Sequence, residues 1–359
     1  MLSPGSSCGP DRTLARARLY SRDDSAISDE LTQTTDAGDA PTTRTVAFVF
    51  PGQGSQYVGM GADLVARSPA AAAAFERADA ALGIPLSRMI LEGPAEELDQ
   101  TINAQPAILA TSVAFLEAMR EEAREAGIEI VPRAMAGHSA GQYAAAVAAN
   151  AIDYADALRL VRERGRIMQE RGIDGGMGAV IGLSDEQVDE IVEAAREHGE
   201  IGVANANAPG QIVLSGVIPA LVFALEMSKT VCARKAVRLT VSVASHSPLM
   251  RRARDEFGRI LAKVPFRDPQ VPMLGNVHAS VIHTAEGLRL ELSEHLVHGV
   301  QWTATVRRMV GNGVTDFVEV GPGRVLSGLI RRISPEAVTH ALDIPGPRTW
   351  ISALREETA

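Results

Sequence analysis

The sequence has few cysteines and few aromatic residues, and it has no long apolar run. The two cysteines, Cys8 and Cys232, lie far apart and predict neither a disulfide framework nor a metal site. None of the eight histidines has the His-Glu-x-x-His spacing, and His295 and His298 are predicted to lie on a solvated helix face. No apolar run is long enough to span a bilayer, and no signal-peptide hydrophobic region is found. We therefore expect no metal and no membrane partner.

The charge balance argues against a nucleic-acid-binding protein. The 359 residues carry a formal net charge of −9, and the isoelectric point is about 5.5. Hydrophobic residues make up 46% of the chain, which is enough for a large core and more than one subdomain. We expect the protein to be cytoplasmic and monomeric.

Residues 1–44 differ in composition from the rest. They are rich in Ser, Thr, Asp, Arg and Gly, and Tyr20 is their only aromatic residue. Because such a segment buries little apolar surface, we predict a disordered extension. The arginine-rich start leaves organelle import open as an alternative, although Asp11, Asp23 and Asp24 count against a transit peptide.

The remaining sequence predicts an α/β protein. It starts with the apolar strand at 46–50, which Pro51 and Gly52 end, and strands then alternate with helical patterns. Such alternation favours a mainly parallel sheet covered on both faces. One internal stretch has the order β-α-β-β-α-β of a small ferredoxin-like domain. The predicted parts are a large subdomain at 45–173 and 243–345, the ferredoxin-like subdomain at 174–242, and a C-terminal tail at 346–359.

A Gly-x-Ser-x-Gly motif at 137–141 is the main candidate for chemistry. It requires a sharp strand-to-helix turn that exposes the hydroxyl of Ser139, and the alanine-rich stretch after it favours a helix. The N-terminus of that helix would favour an anion formed at the serine. Taken alone, the motif also fits a Gly/Ser-rich loop that closes an ordinary αβ unit, so its meaning depends on partners elsewhere.

Further motifs accompany this one in order along the chain. With it they form the series Phe48–Gln56, Gly137–Gly141, Arg164-Gly165, Asn205–Gln211, Ser245–Met250, Gln301-Trp302 and Glu319–Gly323. This series resembles the malonyl-CoA:acyl-carrier-protein transacylase family, to which polyketide-synthase acyltransferase domains are related. The resemblance covers about residues 45–335. It implies an α/β-hydrolase-like large subdomain, a ferredoxin-like insertion, and an active site in the cleft between them.

The resemblance also assigns the catalytic pair. Ser139 is the expected nucleophile, and His246 is the expected base, since a serine hydroxyl needs one near neutral pH. His138 is a motif residue that the turn directs away from the hydroxyl. No acid stands out as a third triad member between Ser139 and His246. The family orients its histidine through a backbone carbonyl, which we carry over to Gln301.

Three more residues receive roles in the same way. The backbone N–H groups of Gln53 and Ala140 are expected to stabilise the oxyanion. Arg164 is expected to bind the free carboxylate of a malonyl group, because its two parallel donors match that geometry. Several arginines alternate on this helix, so helical position alone does not select it. Gln142 and Gly299 depart from the common Glu and Pro of the family, as does Ala140 from Leu.

The resemblance therefore implies an acyltransferase that moves malonyl from CoA to an acyl carrier protein through a malonyl-serine, with no bound cofactor. Other functions stay open at this point. A serine esterase or thioesterase would carry the same motif, and a non-catalytic carrier-protein-binding module would form no acyl-enzyme. A trans-acting polyketide acyltransferase would use malonyl-CoA or methylmalonyl-CoA, and the residues Val243-Ala244-Ser245 before the histidine do not decide between these.

Overall fold

The structure is a computed structural model that describes residues 44–172, 175–241, 243–344 and 346–358. The predicted N-terminal extension lies outside these ranges except for Arg44, and so does Cys8. Because one of the two cysteines lies outside the described residues, the expectation of no disulfide framework stays a prediction. None of the described helices is both long enough and apolar enough to cross a membrane.

Strands and helices alternate along the described chain, as the sequence predicts. The strands are β1 Val46–Phe50, β2 Ala134–Gly137, β3 Gly176–Ile181, β4 Ile201–Ala208, β5 Gln211–Gly216, β6 Lys235–Arg238, β7 Met273–Leu274, β8 Val281–Ile282, β9 Asp316–Glu319 and β10 Val338–Ala341. The helices are α1 Ala62–Val65, α2 Pro69–Leu82, α3 Leu86–Glu92, α4 Ala95–Leu98, α5 Thr101–Ala126, α6 Gly141–Ala148, α7 Tyr154–Arg171, α8 Asp185–Ala195, α9 Ile218–Thr230, α10 Arg251–Leu261, α11 Ala285–Glu294, α12 Trp302–Gly311, α13 Val325–Ile333 and α14 Pro347–Thr358.

The larger sheet has the strand order β10-β9-β1-β2-β7-β8. All neighbouring strands in it are parallel except β7 and β8. Because the carboxyl ends of parallel strands meet at one edge, the segments after β1, β2, β7 and β9 come together there. These segments contain several of the predicted site residues, so the sheet topology brings distant motifs to one place.

Side chains of β1 alternate between the two faces of this sheet. Phe48 and Phe50 belong to the apolar cluster that also includes buried residues of α2, α5, α6 and α7. Ala47 and Val49 belong to the cluster on the other face, with residues of α12 and α13. Burial on both faces explains why β1 is a continuous apolar run rather than an alternating one.

The smaller sheet has the order β4-β5-β3-β6 and is antiparallel throughout. Helices α8 and α9 share a buried apolar cluster with it. This order and connectivity confirm the predicted ferredoxin-like unit. Its predicted limits, residues 174 and 242, lie outside the described ranges and stay a prediction.

The sequence patterns do not predict β8, α11, β10 or α14. The segment predicted as a C-terminal tail is instead the helix α14, at Pro347–Thr358. This correction has a packing reason, because Trp350 and Ile351 are buried in the core of the large part. The Trp350 ring also packs edge-on against Phe48 of β1, with 6.5 Å between the ring centroids.

Candidate active site

Ser139 lies on the turn between β2 and α6 with a left-handed backbone, at φ 51°. This conformation is uncommon for a residue with a side chain, and such residues cluster at functional sites. The flanking glycines are required by close contacts. A Cβ at Gly137 would lie 2.0 Å from the carbonyl carbon of Gly141, and one at Gly141 would lie 2.2 Å from the Phe50 oxygen. The motif therefore folds as the predicted sharp turn.

Two buried amide side chains hold this turn. Asn276, directly after β7, accepts a hydrogen bond from the Ser139 N–H at 2.7 Å and donates one to the Gly137 oxygen at 2.8 Å. Gln142 accepts from the Gly137 N–H and donates to the Leu274 oxygen, both at 2.9 Å. The sequence does not predict this role for Asn276, whose only signal is its position shortly after the strand predicted at 271–274.

His246 lies beside the nucleophile candidate, as predicted. Its Nε2 is 2.9 Å from Ser139 Oγ, and its Nδ1 is 2.5 Å from the backbone oxygen of His295. A carbonyl can only accept, so Nδ1 carries the proton and Nε2 turns its lone pair toward the serine hydroxyl. Burial, and next the charge of Arg164, lower the pKa of His246 to about 3. The imidazole is therefore a neutral base at physiological pH.

The residue that orients His246 differs from the prediction. The carbonyl of Gln301 accepts from the N–H and hydroxyl of Thr305 at the start of α12, so it serves that helix instead. The carbonyl of His295 comes at the C-terminal end of α11, where helical carbonyls lack an intrahelical donor. The prediction of a solvated helix face is also wrong for His295, whose side chain is fully buried. His298 is exposed.

Arg164 is the buried arginine of α7, with 1% of its surface exposed. It donates to Gln105 Oε1 at 2.7 Å and to Ser139 Oγ at 3.3 Å. Other arginines of this helix, such as Arg159 and Arg166, form ion pairs with neighbouring acids near the surface. Within the described residues Arg164 has no carboxylate partner, and burial lowers its pKa. The structure thus places one uncompensated cation next to the serine.

The loop after β1 packs against the nucleophile turn. A Cβ at Gly52 would lie 2.2 Å from the backbone oxygen of His138, so this approach requires glycine. The contact brings the backbone of Gln53 next to the turn that contains Ala140. Among the described residues, no hydrogen bond of a turn, loop or helix cap joins the N–H of Gln53 or of Ala140 to a backbone carbonyl.

His138 points away from the hydroxyl, as predicted. Its Nε2 is 2.8 Å from Oδ1 of Asn207, a residue near the end of β4 in the smaller sheet. Strand β4 also pairs with the segment that follows α11, through the Asn205–Val300 bridge. The smaller sheet therefore contacts both the nucleophile turn and the segment that begins at His295.

A serine on such a turn, at the carboxyl edge of a parallel sheet and next to a neutral histidine, defines the class of serine enzymes that form acyl esters. The chain belongs to the acyl transferase domain family, which matches residues 47–340, and it is an acyltransferase. The family resemblance drawn from the motifs is thereby confirmed.

The chain is similar to known proteins over nearly their whole length. The malonyl CoA-acyl carrier protein transacylase of Escherichia coli strain K12 is 43% identical over 301 residues, which cover 83% of this chain and 96% of the relative. The solved structure of the transacylase of that name from Coxiella burnetii has a TM-score of 0.83 at 37% identity, covering 89% and 100% of the two chains. A malonyl-transacylase solved in complex with its type II polyketide acyl-carrier protein has a TM-score of 0.81 at 38% identity, covering 87% and 99%.

Proposed function

We propose that this enzyme transfers a malonyl group from CoA to the phosphopantetheine thiol of an acyl carrier protein. The observation that carries this proposal is the buried cation of Arg164, which lies beside Ser139 without a carboxylate partner in the described residues. An unpaired buried charge is costly, and the free carboxylate of malonyl would pair with it. The names of the relatives give the same donor and acceptor for those proteins.

In the first half-reaction, Ser139 Oγ attacks the thioester carbonyl while His246 Nε2 takes the hydroxyl proton. The resulting oxyanion would be stabilised by the backbone N–H groups of Gln53 and Ala140. Collapse of the intermediate breaks the carbon–sulfur bond, and His246 returns the proton to the departing CoA sulfur. The product of this step is malonyl-Ser139 and free CoA.

The second half-reaction reverses these roles. The carrier thiol gives its proton to His246 and attacks the ester carbonyl of malonyl-Ser139. The carbon–oxygen bond then breaks, and the proton returns to Ser139 Oγ. A carbonyl rather than a carboxylate orients His246, so the imidazolium formed in each step receives less stabilisation than in a Ser-His-Asp triad. The malonyl carboxylate would offset part of this by neutralising Arg164.

We also propose that the enzyme works without a bound cofactor, as a cytoplasmic monomer that supplies malonyl groups to fatty-acid synthesis. A polyketide role is a second candidate, because a similar solved structure pairs a malonyl-transacylase with a polyketide carrier. Transfer rates to a fatty-acid carrier and a polyketide carrier, measured side by side, separate the two.

A competition assay tests the proposal. Wild-type enzyme is given malonyl-CoA, methylmalonyl-CoA and acetyl-CoA together, and acyl-Ser139 is identified by mass spectrometry. We expect mainly malonyl, no adduct in Ser139→Ala, and a shift toward acetyl of roughly 100-fold in Arg164→Ala, as losing a buried charge pair implies. An adduct that persists in Ser139→Ala, or an unchanged preference in Arg164→Ala, would overturn the assignment. Release of free malonate without carrier protein would instead favour a hydrolase.

A further inference from the structure

The backbone of Ser139 must be held in its left-handed conformation by contacts outside its own motif. The bond that does this most directly comes from Asn276, whose Oδ1 accepts the Ser139 N–H. Asn276 is only 1% exposed, and its own backbone oxygen accepts from the Gln301 N–H at 2.8 Å. Its side-chain position is therefore set by the segment on which it lies, and anything that fixes that segment also fixes the nucleophile.

Glu291 of α11 fixes that segment. Its Oε1 accepts hydrogen bonds from the backbone N–H of Asn276 and, at 3.3 Å, from that of Val277. Glycine at position 275 makes room for the carboxylate, since a Cβ there would lie 2.6 Å from Glu291 Oε2. Glu291 is buried, with 8% of its surface exposed. None of the ion pairs found in the described residues includes it. Among the described residues this buried carboxylate has no cation beside it, and the hydrogen bonds that compensate its burial come from backbone donors.

The same helical turn holds the base. Glu291 and His295 are four residues apart, and the His295 N–H donates to the Glu291 backbone oxygen at 3.0 Å. The His295 carbonyl accepts from His246 Nδ1. One turn of α11 is thus linked to both reacting side chains, to Ser139 through Asn276 and to His246 directly.

We propose that Glu291 and Asn276 are positioning residues that set Ser139 Oγ against His246 Nε2. Neither touches the substrate, and each acts through the backbone of the nucleophile turn. The 2.9 Å distance between Ser139 Oγ and His246 Nε2 depends on them. They position the serine, while the His295 carbonyl, on the same turn of α11, positions the histidine. This inference rests on the proposed acyl transfer and adds two residues to its machinery.

The test measures the single-turnover rate of Ser139 acylation at saturating malonyl-CoA. Asn276→Ala removes the acceptor of the Ser139 N–H, and we expect the rate to fall by about 10- to 100-fold, as a small misplacement of a reacting group does. In Glu291→Ala the acylation rate should fall by a similar factor. Glu291→Gln keeps an acceptor oxygen for the Asn276 N–H and should rescue the rate to within about threefold of wild type.

A matched control separates positioning from folding. Asp79 is a carboxylate on α2 that accepts from the Ser87 N–H at 2.7 Å, far along the chain from the site. Asp79→Ala should lower the melting temperature as Glu291→Ala does, yet leave the acylation rate unchanged. Equal acylation rates in Asn276→Ala and wild type would overturn the proposal, and so would equal losses in Glu291→Gln and Glu291→Ala. If Asn276→Ala does not fold, the contrast between the two Glu291 variants decides.

A second readout keeps the proposal independent of the substrate assignment. A serine-reactive organofluorophosphate labels Ser139 with the help of His246 but needs no malonyl recognition. Slower labelling in Asn276→Ala and Glu291→Ala supports positioning even if malonyl transfer were wrong. If the reagent labels the wild-type enzyme but malonyl-CoA does not acylate it, the proposed function is wrong, while the positioning roles of Asn276 and Glu291 are not affected.

Discussion

The charge of Arg164 lowers the proton affinity of His246, and under the proposed function it also selects the acyl group. Burial is the larger cause of the low pKa of His246, and the nearby guanidinium lowers it further. A cation disfavours a second cation in the same buried space. Consequently His246 stays a competent base at pH values where an ordinary histidine, with a pKa of about 6.5, would be protonated.

Removing that charge should therefore raise the pKa of His246. We expect wild-type Ser139 to be labelled by a neutral organofluorophosphate at a nearly constant rate from pH 8 down to pH 5. In Arg164→Met the acid limb should move to higher pH, while staying below about 6.5 because burial remains. The measurement is the labelling rate against pH for both proteins.

The control for this experiment is Arg159→Met, an exposed arginine on the same helix that pairs with Asp156. Its pH profile should match wild type. Identical profiles for Arg164→Met and wild type would show that burial alone sets the proton affinity of His246.

Single residues also show what the sequence could predict. Ser139, His246 and Arg164 lie in motifs, because their side chains must have one chemical identity, and the structure brings them together. Asn276 acts across 137 residues of sequence, and no local pattern indicates such a contact. The carbonyl that orients His246 belongs to the backbone, so residue type gives no signal for it, and the structure has the carbonyl of His295 in place of the predicted Gln301.

Secondary-structure elements were predictable where apolar periodicity was strong. Strand β1 and helices α5 and α7 follow from their sequence patterns. Strand β8 has two residues, which is too short for any period. Helix α11 buries only Leu288, Glu291 and Leu292, so its apolar face is narrow and its position depends on tertiary contacts.

The segment after α11 is an element-scale link between the two sheets. Val300 donates to the Ala204 oxygen at 2.8 Å and accepts from the Ala206 N–H at 2.9 Å, which joins the segment to β4. Gly299 permits this approach, since a Cβ there would lie 2.4 Å from the Val203 oxygen. This close contact therefore requires a glycine at position 299 in this chain.

Gly299→Ala should force β4 and this segment apart. We expect a loss of about 1–3 kcal/mol in the free energy of unfolding, as for overpacking of a tight contact, together with slower acylation because His295 lies on the same segment. Denaturant unfolding and single-turnover acylation measure the two effects. Gly202→Ala on β4, where a Cβ would meet nothing within 4 Å, is the matched control. Equal unfolding energies for the two variants would contradict the steric argument.

At the scale of the whole molecule, buried titratable groups make stability depend on pH. Burial lowers the pKa values of His246 and His295, so the folded state keeps them neutral while the unfolded chain gains protons below about pH 6.5. The unfolded state then binds more protons, and stability falls as pH decreases. Burial raises the pKa values of Glu291 and Glu319, which acts in the opposite direction. The histidines titrate first in the unfolded chain, so the initial effect of acid is a loss of stability.

His295 isolates this effect, because both of its ring nitrogens lack a hydrogen-bond partner within the described structure. His295→Gln removes the titrating ring and keeps the backbone carbonyl. Between pH 7 and pH 5 the wild-type protein should lose about 2 kcal/mol more of its unfolding free energy than this variant, the contribution of one histidine that stays neutral when folded. Urea unfolding at both pH values measures the difference, with His278→Gln at an exposed position as the control. An equal loss in wild type and His295→Gln would mean that His295 gains its proton without unfolding, which its complete burial opposes.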